Sequence, residues 1–561
     1  MPPSPSASPP LSPTYYLDNF EELLRTVVSR YDDLLAEHEI EFVSDLGALS
    51  TGARCLWLRL LSRRGPLFRR DRLAYDEVPD LDSAVDELLG AGFLDDGDDA
   101  SPTDLLALLA KDDLIELLAE LGLGRPRLDI RKGAALEIVA RVVPDTVLAE
   151  AVRSRLQVVR PRRVEDILPF QLLFFGNLSQ DWREFVLRDI HVWRYESYEL
   201  RGDLRLFPHR KALDDELTLR LCRREVRHHL AEERVREASL LAQTVSDRDD
   251  WVASARPLVD SILTMVGRTL ERCGDFEEAL RLYDRAQHPP ARERRCRVLA
   301  RLGLLDEALE ATAAIDANPL DEAERLFAPR FAHRLRRRLG TESPRPRTTR
   351  PERRLVLRRR HHETIEEQVV AALSAKGVAA FHAENWLWKS LFGLAFWDII
   401  FAPVAGAFQH PFQAGPLDLF TPAFRDRRAR GVELRLREVE NGEWEASRIL
   451  HVFDRKEGIR NRLVTWAEGS RPLLERALAN LEGHHLALVF DRLSRDLRRY
   501  RRGFPDLFVA RPDRSPGFEL LEIKGPGDQL RPEQRTWLEY LESMEIPVAI
   551  ARVEWRIEEV S

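Results

Sequence analysis

The sequence predicts a multidomain chain in which mostly α-helical N-terminal modules precede a C-terminal α/β domain. Three observations carry that expectation. At 561 residues the chain is too long for one hydrophobic core, so three or four domains are expected. From Tyr16 to Leu339 apolar residues recur mostly at helical spacing, punctuated by capping residues and glycines. After Phe504 the pattern changes to strand, turn, strand, helix, strand.

Composition narrows the class. A content of 44% hydrophobic and 32% charged residues suits a soluble globular protein. The segments Met1 to Pro13 and Thr341 to Pro351 are the best candidates for disorder. No apolar run is long and charge-free enough to cross a bilayer; even Leu391 to Phe401 is short and contains Asp398. The start lacks the basic and apolar regions of a signal peptide, so a soluble intracellular protein with no membrane partner is expected. Cys55, Cys222, Cys273 and Cys296 are scattered, with no zinc-finger spacing, and read as free thiols. The net charge of −8 excludes a globally basic nucleic-acid binder, but phosphate contacts need only a local patch. Arg far outnumbers Lys, which suits bidentate phosphate recognition and equally a coding-sequence bias.

Residues 14–98 read as a winged-helix or helix-turn-helix module. Asp18 caps a helix carrying Phe20, Leu23, Leu24, Val27 and Val28, and Ser50 caps Ala53 to Leu61. Arg63-Arg64-Gly65-Pro66 turns the chain, and a helix bearing Val85, Leu88 and Leu89 ends at Gly90. Arg59, Arg63, Arg64, Arg69, Arg70 and Arg72 either contact DNA or are solvated on a packing domain. Residues 99–150 look like a SAP-type helical hairpin: Leu114, Leu117, Leu118 and Leu121 line one face, and Arg131 and Lys132 open the next helix as candidate DNA contacts. An ordinary amphipathic hairpin is the alternative.

Residues 151–250 are a helical connecting region whose core is expected from Phe170, Leu172, Leu173, Phe174 and Phe175. In residues 251–340, Cys273-Gly274-Asp275-Phe276-Glu277-Glu278-Ala279-Leu280 is echoed by Leu302-Gly303-Leu304-Leu305-Asp306-Glu307-Ala308-Leu309, as in tetratricopeptide-like hairpins. Residues 341–360 read as an Arg-rich linker with incidental phosphate contacts. Residues 361–561 form the α/β domain.

The chemistry concentrates in that last domain. Pro505 and Asp506 open the strand running to Ala510, Arg511 to Gly517 is a turn, and Phe518 to Lys524 is a second strand ending at Gly525-Pro526-Gly527. Alternation puts Glu522 and Lys524 on one strand face, roughly 6–7 Å apart. Pairing of the strands would bring Asp506 beside them. Phosphodiester hydrolysis needs such a cluster, because an anionic phosphate repels hydroxide until hard cations neutralise it. Asp506, Glu522 and a backbone carbonyl such as that of Ile523 offer the oxygen ligands that Mg²⁺ or Mn²⁺ prefers. Two such ions would sit about 3.5–4 Å apart. Lys524 would orient or deprotonate water, or stabilise the pentacovalent charge. This is the pattern of PD-(D/E)xK, restriction-endonuclease-like nucleases.

The run Pro505-Asp506 … Glu522-Ile523-Lys524-Gly525-Pro526-Gly527-Asp528-Gln529-Leu530 … Gln534 … Trp537-Leu538 resembles the virus-type replication-repair nuclease (VRR-NUC) domain. It is particularly similar to that of the Fanconi-associated nuclease family, as are Phe392 to Phe401 and Phe412 to Phe420. The resemblance implies that Asp506, Glu522 and Glu384 are metal ligands and that Lys524 is the catalytic lysine. It implies that Asp528 and Gln534 support the ligands or face DNA, with Asp528 alternatively capping the helix near Pro532. It further implies a 5′-flap endonuclease with 5′-to-3′ exonuclease (phosphodiesterase I) activity in interstrand crosslink repair, acting on branched DNA as a monomer, with a dimer left open. Rival readings are a Holliday-junction resolvase and a non-catalytic DNA-binding scaffold. A bacterial cytoplasmic, nucleoid-associated location is expected, or a nuclear one in a eukaryote.

Overall fold

The structure, a computed structural model, describes residues 12–63, 65–120, 143–186, 193–341 and 352–556. The chain divides into two compact units, Ser8–Ile190 and His191–Ser561. None of its described helices is long and apolar enough to cross a membrane.

In the N-terminal unit, α1 (Tyr15–Tyr31), α2 (Glu37–Ala48) and α3 (Thr51–Leu61) lead into β1 (Phe68–Arg69), α4 (Leu81–Gly90) and β2 (Leu94–Asp95). Ser50 and Asp80 cap α3 and α4 by accepting the Ala53 and Ser83 amides. Apolar spacing along α1 buries Phe20, Leu23, Leu24 and Val27. The helices α5 (Pro102–Leu108), α6 (Lys111–Glu120) and α7 (Asp145–Arg153) precede β3 (Val158–Pro161), which lies between β1 and β2 in an antiparallel three-stranded sheet. The described helices α5, α6 and α7 therefore come between two wing strands, β2 and β3. Leu105, Leu106, Leu109, Leu114 and Leu117 pack on Leu67 and Val158. The fold also places β3, α8 (Ile167–Phe175) and α9 (Trp182–Val186) in this unit, not in a separate connecting region. Phe170, Leu172, Leu173, Phe174 and Phe175 are buried as expected.

The second unit begins with a strap across the nuclease core. Tyr198 stacks on Phe408 at 4.0 Å, its hydroxyl donates to the His410 carbonyl at 2.7 Å, and it accepts the Gln413 N–H at 2.9 Å. A helical array follows: α10 (Arg210–Ala231), α11 (Val235–Asp247), α12 (Arg256–Cys273), α13 (Phe276–Arg285), α14 (Ala291–Arg301), α15 (Leu305–Ala317) and α16 (Glu322–Arg338). It starts at Arg210, ahead of the region 251–340 in which the repeat is visible in the sequence. Gly274 and Gly303 turn the chain with φ of +87° and +84°, a left-handed conformation that disfavours side chains. Ala279 and Ala308 are fully buried, where a larger residue would push the helices apart.

The nuclease sheet has the order β4-β8-β7-β6-β5. Its elements are β4 (Glu352–Leu357), α17 (Ile365–Ser374), β5 (Ala380–His382), α18 (Leu387–Ala395), then a helical insertion with α19 (Ala429–Glu440), α20 (Ala446–Lys456), α21 (Ser470–Leu478) and α22 (Gly483–Arg495), then β6 (Leu507–Ala510), β7 (Phe518–Lys524), α23 (Pro532–Ser543) and β8 (Val548–Trp555). Part of the expected Arg-rich linker is thus an edge strand: β4 pairs in parallel with β8, and Arg552 bonds Glu352. Charged side chains suit an edge, where one row of backbone groups has no neighbour.

Candidate active site

Strand register assembles the site. β6 and β7 pair antiparallel with Leu507 opposite Leu521, so Asp506, one residue earlier, comes opposite Glu522. Alternation then sends Asp506, Phe508, Leu520, Glu522 and Lys524 to one face. Phe508 and Leu520 enter the large core on that face, whereas Leu507, Leu521 and Ile523 pack with Val369 of α17 on the other. The carboxylates therefore converge, as the sequence requires of a nuclease.

Asp506 and Lys524 are buried and Glu522 is fully so, at 0% exposure. Asp506 Oδ2 accepts the Ile523 N–H at 2.6 Å, and Lys524 Nζ donates to Glu522 Oε1 at 2.5 Å. Glu384 lies in the turn between β5 and α18 rather than on a helix, and its N–H donates to the Asp506 carbonyl at 3.2 Å. That bond, with a similar one from Ala383, ties a residue 122 positions earlier to the catalytic strand. The other Glu522 oxygen, Oε2, is buried with no hydrogen-bond partner.

Electrostatics give that oxygen meaning. Burial raises the pKa of Asp506 above the usual carboxylate range, and the charges of Glu384 and Glu366 push the same way against the Ile523 N–H and Lys524. Burial also raises Glu522, with Asp506 and Glu384 adding and Lys524 opposing. Buried carboxylates that resist ionising together, one with an orphaned oxygen, fit a hard divalent cation. Glu366, in the first turn of α17, is a carboxylate that the motif did not point to. A signal was present: Thr364 and Glu367 form a capping box, and Glu366 lies two residues after the cap in the first turn of the helix.

The shifts carry a signed consequence. Both carboxyls bind protons more tightly folded than unfolded, so the metal-free protein gains stability from them below about pH 4 and loses it as pH rises through their folded pKa values. Thermal melts in chelator should show Tm falling between pH 5 and 8 more steeply in the wild type than in Glu522→Gln. Equal slopes would refute the linkage.

The remaining expected residues take other roles. Asp528 does not cap α23, whose N-cap is Arg531; its Oδ2 accepts the Gly525 N–H at 2.9 Å and braces the turn after Lys524. Gly525 fits closely there: an added Cβ would lie 2.7 Å from Ile365 Cδ1, which would have to shift. Gln534 is buried and accepts the Arg531 N–H at 3.0 Å, closing the start of α23. In the N-terminal unit, Arg69 is bound to Asp71 and Asp113, and Arg70 to Asp82 and Asp86. Acidic neighbours consume those charges, so they are not a free basic patch. Arg63 is exposed and donates to the Tyr75 hydroxyl at 2.9 Å. Arg64, Arg131 and Lys132 lie outside the described residues.

Comparison with known proteins agrees with this architecture. Residues 14–95 match the family model described as "FAN1, HTH domain", and residues 441–555 match the VRR-NUC domain. The chain is 36% identical over 567 residues to a Fanconi-associated nuclease 1 homolog of Pseudomonas aeruginosa, covering 99% of each. It is 26% identical to the homolog of Arabidopsis thaliana, covering 97% of this chain and 67% of that one. Among solved structures it resembles paFAN1 bound to 2-nucleotide 5′-flap DNA with a gap, with TM-score 0.82, 33% identity, and 98% and 100% of the two chains covered.

Proposed function

The chain belongs to the Fanconi-associated nuclease family, and from that premise we propose that it cuts branched DNA near 5′ flaps at the Asp506–Glu522–Lys524 cluster. It is a structure-specific DNA nuclease, and its VRR-NUC domain brings dependence on a divalent metal. The observation that carries the reading is the convergence of Asp506 and Glu522 beside Lys524 on one sheet face, with the Glu384 turn tied to Asp506 by a backbone hydrogen bond.

Asp506, Glu522, Glu384 and the Ile523 carbonyl are proposed to hold Mg²⁺ or Mn²⁺, as a pair of ions. The cation supplies positive charge at the scissile phosphate and acidifies the water beside it. The Ile523 amide fixes the Asp506 carboxylate, and Glu384 is held by the Asp506 backbone, so the ligand set is ordered before substrate arrives. Lys524 opposes the upward shift of the Glu522 carboxyl and presents its ammonium where charge grows on the phosphate. The cluster recognises phosphate alone, so flap selectivity comes from shape read by the helical modules. We extend the reading to 5′-to-3′ exonuclease action and interstrand crosslink repair.

A flap duplex labelled at its 5′ end, incubated with the protein and Mn²⁺, should release short labelled products, while an unbranched duplex with blocked ends stays intact. Equal cutting of both, or none of either, would overturn the assignment.

A further inference from the structure

Most nuclease-domain arginines near an acid are paired with it. Arg425 and Arg495 bind Asp491, Arg427 and Arg428 bind Asp418, Arg435 binds Asp398, and Arg471 binds Asp454. A neighbouring group of cations differs. Arg462 and Arg501 both lie over the ring of Phe420, with their guanidinium carbons 4.6 and 4.5 Å from its centroid. One aromatic ring thus seats two positive charges. Among the described residues Lys389, Arg462, Arg501 and Arg502 have no carboxylate partner. The Arg501 Nε is buried with no hydrogen-bond partner at all.

Their mutual repulsion is visible. Burial lowers the pKa of Lys389, with Arg501 and Arg502 adding and Glu384 opposing. Surrounding protein and then the Arg501 charge lower Arg462, and burial, Arg502 and Arg498 lower Arg501. In a chain of net charge −8 acids are plentiful, yet among the described residues none forms an ion pair with these four cations. The chain fixes the location of the group: Lys389, in the first turn of α18, follows Glu384, whose N–H bonds the Asp506 carbonyl at 3.2 Å, and Arg501 and Arg502 come shortly before Asp506 and the strand that begins after it. The segment Phe412 to Phe420 gains a purpose as well, because Phe420 seats the guanidinia.

We propose that Arg462 and Arg501, seated on Phe420, form with Lys389 and Arg502 a clamp for successive phosphates of the strand being cut, next to the catalytic carboxylates. The inference rests on the nuclease reading and adds the site that holds the scissile strand. Phe420 is a positioning residue; the cations make the contacts. Because they meet phosphate and no base edge, their contribution is independent of sequence and falls with salt.

The test is flap binding by fluorescence anisotropy across a salt series in chelator, with cleavage in Mn²⁺ measured in parallel. Arg462→Ala and Arg501→Ala should each weaken binding about 5- to 10-fold and reduce the salt slope by roughly 0.7–0.9. Arg501→Lys should restore the slope. Phe420→Leu should raise KM more than it lowers kcat and leave the slope closer to wild type. Arg471→Ala, whose guanidinium is paired with Asp454, should change neither. If wild type binds and cuts flaps but both alanine variants keep wild-type affinity and slope, the clamp is wrong and the nuclease stands. If wild type neither binds nor cuts flaps, the nuclease reading fails with it.

Discussion

Asp506→Asn should lower flap cleavage about 10²- to 10³-fold, the scale set by losing a preorganised electrostatic group at a reacting centre, while the metal-free protein becomes more stable. The substitution keeps size and shape, and its Oδ1 can still accept the Ile523 N–H that Asp506 accepts at 2.6 Å. The negative charge is what disappears. That charge is one of those raising Glu522, so its removal relieves repulsion in the folded state and lets Glu522 ionise more readily. Flap affinity in chelator should hold or improve, since one fewer anion faces the DNA. Cleavage assays, thermal melts and anisotropy together decide the matter. Structural damage would lower activity and Tm together, whereas the active-site reading requires them to move in opposite directions. Retained cleavage would remove Asp506 from the chemistry altogether.

Why this site was readable from sequence, and its surroundings less so, has a physical basis. Asp506, Glu522 and Lys524 sit within one hairpin, so local alternation and a short turn determine their faces. Glu384 is brought in by a backbone bond across 122 residues, which no local pattern encodes; only family resemblance pointed to it. Glu366 enters by packing of α17 at the strand ends, where Ile365 closes on Gly525. Charge density in sequence says nothing of neighbours: Arg69 and Arg70 face aspartates, whereas Arg462 and Arg501, far apart in the chain, share one ring. The strand β4 was hidden for a related reason. An edge strand rich in arginine lacks the apolar alternation that marks a buried one, and its pairing with β8 joins segments nearly two hundred residues apart.

Lys524→Met should reduce kcat by about 10²- to 10⁴-fold, the range for a group that moves or stabilises charge in the transition state, with KM little altered. The ammonium is buried and bonded to Glu522, so its long stem can be replaced by Met with little change in packing. Two losses follow at once. Charge growing on the phosphate loses a donor, and Glu522 loses the cation that opposes its upward shift. Its folded pKa must then rise further, and the acid limb of the pH–rate profile must move to higher pH. A role confined to gripping DNA would instead raise KM and leave that limb in place. Lys524→Arg tests the geometry: a planar guanidinium keeps the charge but not the compact point donor that fits beside Glu522 at 2.5 Å. It should therefore hold the acid limb near its wild-type position while recovering little of the rate. Full recovery of rate by arginine would mean that charge alone suffices, and that the lysine does not act as a positioned donor.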